Sequence, residues 1–366
     1  MSSASAGSSP LAAYGWDTTL ENEFTSHRAA GLIPARVAAV DRGLCDAVAE
    51  TGPLRASAVP VPVPSPDDPA SVAAPCTGDW AAVRPDGPDG RPAVAALLPR
   101  RTAIVRSSAS RDSRGQVLAA NVDTVAIAVS LAARPSLGRV ERLLALAWES
   151  GALPVVVLTK SDQASGAAEA LAETAAAAPG VDVVACSAAT GDGVDAVRAV
   201  LAGTVVLIGP SGAGKSTLGN ALLGAEVLAT GAVREQDGKG RHTTVRRELL
   251  PLPGGGVLID TPGLRGIGLV EASEGLERTF ADIEELADRC RFGDCAHRTE
   301  PGCAVLAAVE DGTLPRRRFD SYRKLLRENE WAASRTDARL RAERRNRWKS
   351  VTLEQRRRYK EQGRDR

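Results

Sequence analysis

The sequence predicts a multidomain protein in which a small β-barrel precedes a parallel α/β domain and a helical, zinc-binding C-terminal domain. Short apolar runs separated by Gly/Pro turns between residues 35 and 107 favour a barrel or a sandwich. Between residues 117 and 270, apolar strands alternate with helical segments, which is typical of a parallel sheet with helices on both faces. Beyond residue 274 we find only helical segments, a Cys/His cluster and a basic tail.

These changes in hydrophobic pattern and in turn-residue content predict the domain boundaries. We expect a leader at residues 1–34, the barrel at 35–110, the α/β domain at 116–273 and the C-terminal domain at 274–366, with a polar linker at 106–115. The predicted strands of the α/β domain are 122–131, 154–158, 181–186, 204–208 and 257–259, and two of its predicted helices are 139–149 and 167–176.

The composition is that of an ordinary globular protein, with 43% hydrophobic and 25% charged residues. No apolar run approaches the ~20 residues needed to span a bilayer, and the first ten residues lack the pattern of a secretory signal. We therefore expect a cytoplasmic protein that does not enter the membrane.

The net charge of +1 conceals an uneven distribution. Residues 316–366 carry 19 basic and 8 acidic side chains, a local excess of 11 positive charges. A basic tail on an acidic body indicates a polyanionic partner, and the alternative interpretation is a solvated basic helix.

A phosphate-binding loop is predicted directly after the strand 204–208. The segment fits G-x-x-x-x-G-K-[ST], and a helix-forming run follows it, so that backbone N–H groups converge on phosphate at the positive end of that helix. Lys215 would contact the β- and γ-phosphates during catalysis, and the Ser216 hydroxyl would bind Mg²⁺. The predicted contact residues are Gly209, Pro210, Ser211, Gly212, Ala213, Gly214, Lys215, Ser216 and Thr217.

Guanine specificity is predicted from the sequence Thr159, Lys160, Ser161, Asp162, which follows an apolar strand. An aspartate there can accept two hydrogen bonds from the ring N–H and the exocyclic amine of guanine. Adenine presents the opposite polarity at that edge and would leave the carboxylate unpaired. A second base-contacting loop, with Ser187 and Ala188, follows the next strand.

The magnesium switch is predicted at Asp260 and Gly263. Asp260 would hold Mg²⁺ through water, and the Gly263 amide could sense the γ-phosphate. Upstream, the Gly-rich cationic loop 238–244 offers Thr243 or Thr244 as a further Mg²⁺ ligand, and the sequence does not choose between them.

The residue after this switch motif is Leu264, where many GTPases place a water-orienting glutamine. A leucine cannot orient water, so intrinsic hydrolysis should be slow and the catalytic group must lie elsewhere or come from a partner. His242 is the best internal catalytic candidate, and the alternative is an exposed loop histidine.

The order of the motifs is unusual, because the base-reading motifs come before the phosphate loop instead of after it. The sequence therefore predicts a circularly permuted domain, whose sheet can be unchanged when the original termini lie close together at the surface.

A structural zinc site is predicted near the C-terminus. Cys290, Cys295, His297 and Cys303 offer three thiolates and one imidazole within fourteen residues, a full tetrahedral set with no open position. The alternative is a group of small buried cysteines. The three other cysteines, Cys45, Cys76 and Cys186, are interpreted as packing residues.

Taken together, these motifs resemble the bacterial small ribosomal subunit biogenesis GTPases of the RsgA type, from about residue 15 to the helices after Cys303. Softer matches are the sequence Gly78-Asp79-Trp80 and residues 116–123, and departures are the insertion at 60–75 and the Arg-rich end. The resemblance implies an N-terminal OB barrel, a permuted GTPase domain and a zinc domain. It also implies binding of GTP/GDP, of the 30S subunit and of its 16S rRNA, stimulation of hydrolysis by that subunit, and a role in late 30S maturation.

Two other functions stay open. One is a GTP-regulated RNA-binding module without significant turnover, and the other is a P-loop kinase, which would not explain the guanine motif. We expect a monomer.

Overall fold

The computed structural model describes residues 9–62, 72–87, 89–106, 116–229, 247–260 and 272–336. The chain forms two compact units, the first comprising residues 1–106 and 116–267 and the second comprising residues 107–115 and 268–366. The barrel and the α/β sheet both lie in the first unit.

All strands of the described residues belong to the first unit. In chain order they are β1 (Ile33–Asp41), β2 (Leu44–Ala49), β3 (Gly52–Ser57), β4 (Val61–Pro62), β5 (Val72–Ala73), β6 (Trp80–Arg84), β7 (Ala93–Leu97), β8 (Ala103–Arg106), β9 (Gln116–Ala120), β10 (Thr124–Ser130), β11 (Leu153–Thr159), β12 (Asp182–Ala185), β13 (Thr204–Ile208), β14 (Glu248–Pro251) and β15 (Val257–Asp260).

Strands β1, β2, β3, β7 and β6 close into a five-stranded barrel, which confirms the predicted OB-like barrel. Alternation of partly buried and fully buried residues along β2 explains why this short segment forms a strand with one face inside. The interior is filled mainly by alanine and valine, so the barrel is narrow and packed.

A short helix that the sequence analysis does not assign covers the barrel. Helix α1 (Thr18–Ala29) is capped at its N-terminus by Asp17, whose carboxylate accepts a 2.8 Å hydrogen bond from the Leu20 amide. Its Phe24 packs edge-on against Trp16, which in turn lies 5.0 Å from the Trp80 ring of β6. The predicted leader therefore contains a helix whose Leu20 and Phe24 pack in a separate apolar cluster against Trp80, Ala82 and Leu98.

The second sheet has the order β12-β11-β10-β13-β15-β14, with all strands parallel except the edge strand β14. Its central strands are almost continuously buried, as expected when helices cover both faces. One face is covered by α2 (Leu137–Glu149) and α3 (Ala167–Ala177), the other by α4 (Val194–Val200) and α5 (Lys215–Leu223). The predicted parallel α/β architecture is confirmed, whereas β14 was not predicted.

A buried arginine joins the barrel to this sheet. Arg36, on β1, places its guanidinium 4.4 Å from the Trp80 ring centroid and donates hydrogen bonds to the Tyr14 and Asn121 carbonyls at 2.8 and 3.1 Å. It also donates at 3.0 Å to the hydroxyl of Thr204, the first residue of β13. The barrel therefore contacts the strand that leads into the phosphate loop.

The pKa of Arg36 falls to about 10 because the side chain is desolvated by burial, while attraction to Asp123 and Asp79 acts in the opposite direction. The guanidinium therefore keeps its charge at neutral pH. Its Nε is buried without a hydrogen-bond partner, so neighbouring charges and the Trp80 ring must offset part of its desolvation.

The tight turn before β6 forms a second contact between barrel and sheet. Gly78 has a φ of +94°, and a Cβ at this position would lie 2.1 Å from the Ala120 carbonyl oxygen and 3.2 Å from the Ile259 side chain. Asn121, itself at a φ of +52°, donates its side-chain amide to the Gly78 carbonyl at 3.1 Å. Only glycine fits this approach of two backbones.

The regular secondary structure described in the second unit is helical, with α6 (Ser273–Thr279), α7 (Ala281–Ala287), α8 (Ala304–Glu310) and α9 (Arg316–Thr336). Arg318 of α9 is buried and donates to both carboxylate oxygens of Asp282 at 2.6 Å each. Nearer the end of the helix, the Asn329 side chain accepts from the Ala272 amide at 2.7 Å and donates to the Ser273 hydroxyl at 3.1 Å. Helix α9 thus fixes the start of the unit's described chain.

Among the described helices, none combines the length and the apolar character that crossing a bilayer requires.

We predict that Gly78→Ala destabilises the first unit much more than Gly90→Ala does. Both glycines have positive φ, so both variants carry the cost of placing alanine in a left-handed conformation. Only Gly78→Ala adds a steric clash, because a Cβ at Gly90 would meet nothing within 4 Å. Urea unfolding should show an additional loss of about 1–3 kcal/mol for Gly78→Ala. Equal losses in the two variants would contradict the close approach to Ala120.

Candidate nucleotide and metal sites

The predicted nucleotide-binding motifs meet at one edge of the parallel sheet. The base-reading segment 159–162 begins at the last residue of β11, and Ser187 and Ala188 follow β12. The phosphate loop follows β13, and Asp260 is the last residue of β15. Because the carboxyl ends of parallel strands share an edge, ligands bind there in open α/β sheets. The permuted chain therefore assembles the same edge in a different sequence order.

The phosphate loop is shaped by three glycines at positive φ. Gly209 (+143°), Gly212 (+78°) and Gly214 (+78°) bend the chain between β13 and α5, and a Cβ at Gly209 would lie 2.4 Å from the Ala128 carbonyl oxygen. Helix α5 begins at Lys215, followed by Ser216 and Thr217. The N–H groups of its first turn and the helix dipole create a positive end suited to phosphate.

Lys215 folds over this loop. Its Nζ donates to the Gly209 and Pro210 carbonyls at 2.9 and 2.8 Å, so the ammonium group lies above the turn formed by residues 209–214. An ammonium held at that point can neutralise phosphate oxygens bound to the loop amides.

The base-reading loop is hydrogen-bonded to the phosphate loop. The buried Thr159 hydroxyl donates to the Ala213 carbonyl at 2.7 Å, and the next residue, Lys160, adopts a left-handed φ of +59°. A short 3₁₀ turn over Ser161–Gln163 then presents Asp162 as an exposed carboxylate. The contact fixes the spacing between the part that would read a base and the part that would hold its phosphates.

The second base-contacting loop packs against the first. The Ser161 amide donates to the Cys186 carbonyl at 3.1 Å, and Ser187 is almost fully buried. The Ser187 hydroxyl accepts from the Thr190 amide at 3.2 Å, while Gly193 closes the loop where a Cβ would lie 2.3 Å from the Ala185 carbonyl. Ala188 is half-buried at the tip of this packed loop.

Asp260 lies at the end of β15, half-buried and paired in register with Glu248 of β14. Four other predicted residues, His242, Thr243, Thr244 and Gly263, lie outside the described residues, as does Leu264. The structure thus brings together the base-reading motifs, the phosphate loop and Asp260, while the catalytic role of His242 stays a prediction.

The four predicted zinc ligands form a cluster in the second unit. The ligand atoms of Cys290, Cys295, His297 and Cys303 all lie within 4.8 Å of one another. The Cys290 and Cys303 sulfurs are 3.8 Å apart, close to the ~3.8 Å expected for two thiolates bound to one tetrahedral Zn²⁺ at about 2.3 Å. The donor set and its spacing fit zinc.

The imidazole is oriented towards the thiols. His297 Nδ1 lies 3.3 Å from the Cys303 sulfur and 3.7 Å from that of Cys290. Burial lowers the pKa of His297, which favours the neutral form that a metal ligand requires. Cys303 also caps helix α8, because its sulfur accepts from the Leu306 amide at 3.4 Å.

Glu300 orders the loop that presents His297, a role that the sequence analysis missed. Its carboxylate accepts from the Arg298, Thr299 and Ala296 amides at 2.6, 2.9 and 3.2 Å. Hydrogen bonds from the amides of Arg298, of Glu300 itself and of Thr299 lower the pKa of Glu300 to about 2. This stabilisation is complete above the ordinary glutamate pKa of 4.5 and is lost as the pH falls towards 2.

Comparison with known proteins identifies relatives along almost the whole chain. Residues 97–270 match the family model described as RsgA GTPase. A Streptomyces avermitilis protein named small ribosomal subunit biogenesis GTPase RsgA is 58% identical over 94% of this chain and 92% of its own. A protein of the same name from Opitutus terrae is 43% identical over 97% of this chain and 99% of its own.

Two solved structures share the fold. YjeQ from Thermotoga maritima superposes with a TM-score of 0.59 at 24% identity, over 81% of this chain and 98% of that chain. YloQ, described as a circularly permuted GTPase, gives a TM-score of 0.54 at 22% identity, over 82% of this chain and 95% of that chain. The permuted arrangement of the sheet is therefore shared with known structures.

We predict that Thr159→Val weakens binding of a fluorescent GDP analogue about tenfold. The variant leaves the Ala213 carbonyl without its side-chain donor, at a cost of roughly 1–2 kcal/mol to the phosphate-loop conformation. Thr174→Val is the matched control, because the Thr174 hydroxyl donates to the Ala170 carbonyl at the same 2.7 Å distance within α3. Equal affinities for both variants and the unaltered chain would contradict a role for the Thr159 contact.

We expect the purified chain to carry close to one zinc ion, measured by plasma mass spectrometry, and Cys295→Ser to lose most of it. Cys45→Ser, which alters a buried cysteine of the barrel, should retain the metal. Removal of the ion with a chelator should reduce helical circular dichroism, since a structural zinc site contributes to folding. Full zinc content in Cys295→Ser would rule out the four-ligand site.

Proposed function

The chain belongs to the RsgA GTPase family, and from that premise we propose that it is a GTP hydrolase stimulated by the 30S ribosomal subunit during late small-subunit maturation, with 16S rRNA as its polyanionic partner. One observation carries the proposal: the chain is 58% identical, over 94% of its length, to a protein named small ribosomal subunit biogenesis GTPase. The match includes the barrel and the helical unit as well as the GTPase sheet, so the comparison extends to the parts that would contact a partner.

Guanine and phosphate recognition are assigned to the carboxyl edge of the sheet. Asp162 would accept two hydrogen bonds from guanine, with the Lys160 stem along the base and Ser187 and Ala188 beside it. The amides of residues 209–217 would bind the phosphates, and Lys215 would neutralise their β- and γ-oxygens. The hydrogen bond between Thr159 and Ala213 supports this assignment because it fixes the two halves of the site relative to each other.

Mg²⁺ bound with GTP would neutralise charge that develops on the phosphates during hydrolysis. The residues assigned to it are Ser216, Asp260 through water, and Thr243 or Thr244. Asp260 and Ser216 each stand at the carboxyl edge, one at the end of β15 and the other in the first turn of α5. The Gly263 amide would respond to the γ-phosphate.

The need for an activator follows from Leu264. Its side chain cannot accept a proton or orient water, so hydrolysis should be slow until His242 or a group of the ribosome positions the nucleophile. Slow intrinsic turnover and fast stimulated turnover together form a timer: the protein stays on its partner until hydrolysis occurs.

The exposed charges of the second unit support an RNA partner. Along α9, the buried side chains Phe319, Tyr322 and Leu325 define one side. Among the described side chains of α9 and of the loop 288–303, which carries the zinc ligands, the exposed basic residues are Arg316, Arg317, Lys324, Arg327, Arg289, Arg291 and Arg298. Aromatic residues make up only 3% of the chain, which favours phosphate and shape contacts over base stacking.

We predict that turnover of GTP, and not of ATP, is slow for the chain alone and rises by at least about tenfold with 30S subunits, with a smaller rise with 70S ribosomes. Lys215→Ala serves as the inactive control that excludes a contaminating GTPase. Rates that are the same under all three conditions would contradict activation by 30S. Absence of hydrolysis even with 30S would favour a GTP-regulated RNA-binding module, and turnover that depends on a small acceptor would favour a kinase.

A further inference from the structure

The turn Cys76–Asp79, just before β6, is held by buried hydrogen bonds and an ion pair. Asp79 is fully buried and forms a two-pronged ion pair with Arg100, at 2.7 Å for each oxygen. The same carboxylate accepts from the Cys76 amide at 2.7 Å, and the Asp79 amide returns a 3.0 Å hydrogen bond to the Cys76 carbonyl. A turn fixed by a buried bidentate ion pair can transmit a displacement of the barrel without deforming.

One residue of this turn, Thr77, contacts both the end of β9 and the residue that precedes β14. Thr77 is 2% exposed; its carbonyl accepts from the Ala120 amide at 3.0 Å, just before β10. Its hydroxyl donates at 3.3 Å to the carbonyl of Arg247, just before β14. The residue thus contributes one backbone and one side-chain contact to two separate segments of the GTPase domain.

Arg247 directly precedes Glu248, whose register partner is Asp260, the predicted magnesium ligand at the end of β15. It leads into β14, the edge strand, whose only sheet neighbour among the described strands is β15. A contact that restrains Arg247 therefore restrains the start of β14 and the residue that pairs with Asp260.

The first residue pair of β14 and β15 couples the start of one strand to the end of the other. Glu248 lies opposite Asp260 in the antiparallel ladder, at the end where magnesium is expected. The Nε of Arg247 is buried without a hydrogen-bond partner, so that nitrogen does not hold the strand end. The hydrogen bond from Thr77 to the Arg247 carbonyl does.

We propose that Thr77 is a positioning residue for the magnesium edge of the GTPase site, acting from the barrel through the Arg247 carbonyl. It restrains the start of β14 and, through the Glu248–Asp260 pair, sets the position of Asp260. A barrel displaced by a bound partner would move Thr77 and thereby alter this edge. The inference rests on the proposed role of Asp260 in the magnesium site and not on activation by the ribosome.

The test compares three full-length variants. Thr77→Val removes the hydroxyl while keeping the shape, and Thr77→Ser restores it. Thr102→Val is the matched control, because the Thr102 hydroxyl also links the barrel side to the GTPase sheet, donating to the Val122 carbonyl at 2.6 Å, but it does so away from β14. Thr77→Ala replaces Thr77→Val should the latter not fold, and melting curves monitor all variants.

Two measurements test whether Thr77 positions β14 and whether that position affects Mg²⁺ binding. Hydrogen exchange of a peptide covering residues 248–251, without nucleotide, should accelerate roughly two- to tenfold in Thr77→Val, the range expected when one neutral hydrogen bond is lost. The Mg²⁺ concentration that gives half-maximal binding of a fluorescent GTP analogue should rise by a similar factor. Thr77→Ser and Thr102→Val should match the unaltered chain in both measurements.

Unchanged exchange in Thr77→Val, or the same acceleration in Thr102→Val, would overturn the positioning role. Faster exchange with unaltered Mg²⁺ dependence would overturn the link to the magnesium edge. Neither result bears on stimulation by 30S, which the turnover assay measures separately, so failure of this inference and failure of the proposed function are distinguishable.

Discussion

The first unit depends on the contacts of the buried Arg36 guanidinium. Arg36 belongs to β1 of the barrel, and its guanidinium lies against the Trp80 ring and donates a hydrogen bond to the hydroxyl of Thr204 at the start of β13. Burial lowers its pKa to about 10, yet it remains charged at neutral pH beside Asp123 and Asp79. Removing one partner of such a buried network leaves the others desolvated and unpaired, which is why barrel and sheet should behave as one body.

The geometry of a parallel sheet explains how a permuted chain still forms a complete nucleotide site. A parallel sheet collects the carboxyl ends of its strands whatever their order along the chain, so β11, β12, β13 and β15 deliver their motifs to one edge. Permutation changes what is attached to the domain. The barrel now precedes β10, with β8 and β9 between them, and it contacts Thr204 at the start of β13 and Arg247 just before β14.

Much of this architecture could be predicted from the sequence, because periodicity and motif spacing encode it locally. The run 205–208 is apolar throughout and directly precedes a phosphate-loop pattern, so the sequence predicts both the strand and its function. The strand β14 was missed because Glu248–Pro251 is four residues long and ends in proline. Arg36 was missed because nothing local distinguishes a buried arginine from an exposed one; its partners lie up to 168 residues away. Glu300 likewise acts through amides that only the folded loop brings together.

The contacts of Arg36, Gly78 and Thr77 imply that the barrel and the GTPase sheet unfold as one cooperative body, so that binding at the barrel alters the nucleotide-binding edge of the sheet. Hydrogen exchange of the full-length chain in increasing urea tests it most directly, read at amides of β1 and β6 for the barrel and of β10 and β13 for the sheet. Both sets of amides should lose protection over the same urea range and with the same slope. Loss of barrel protection at lower urea, with the sheet still protected, would contradict it.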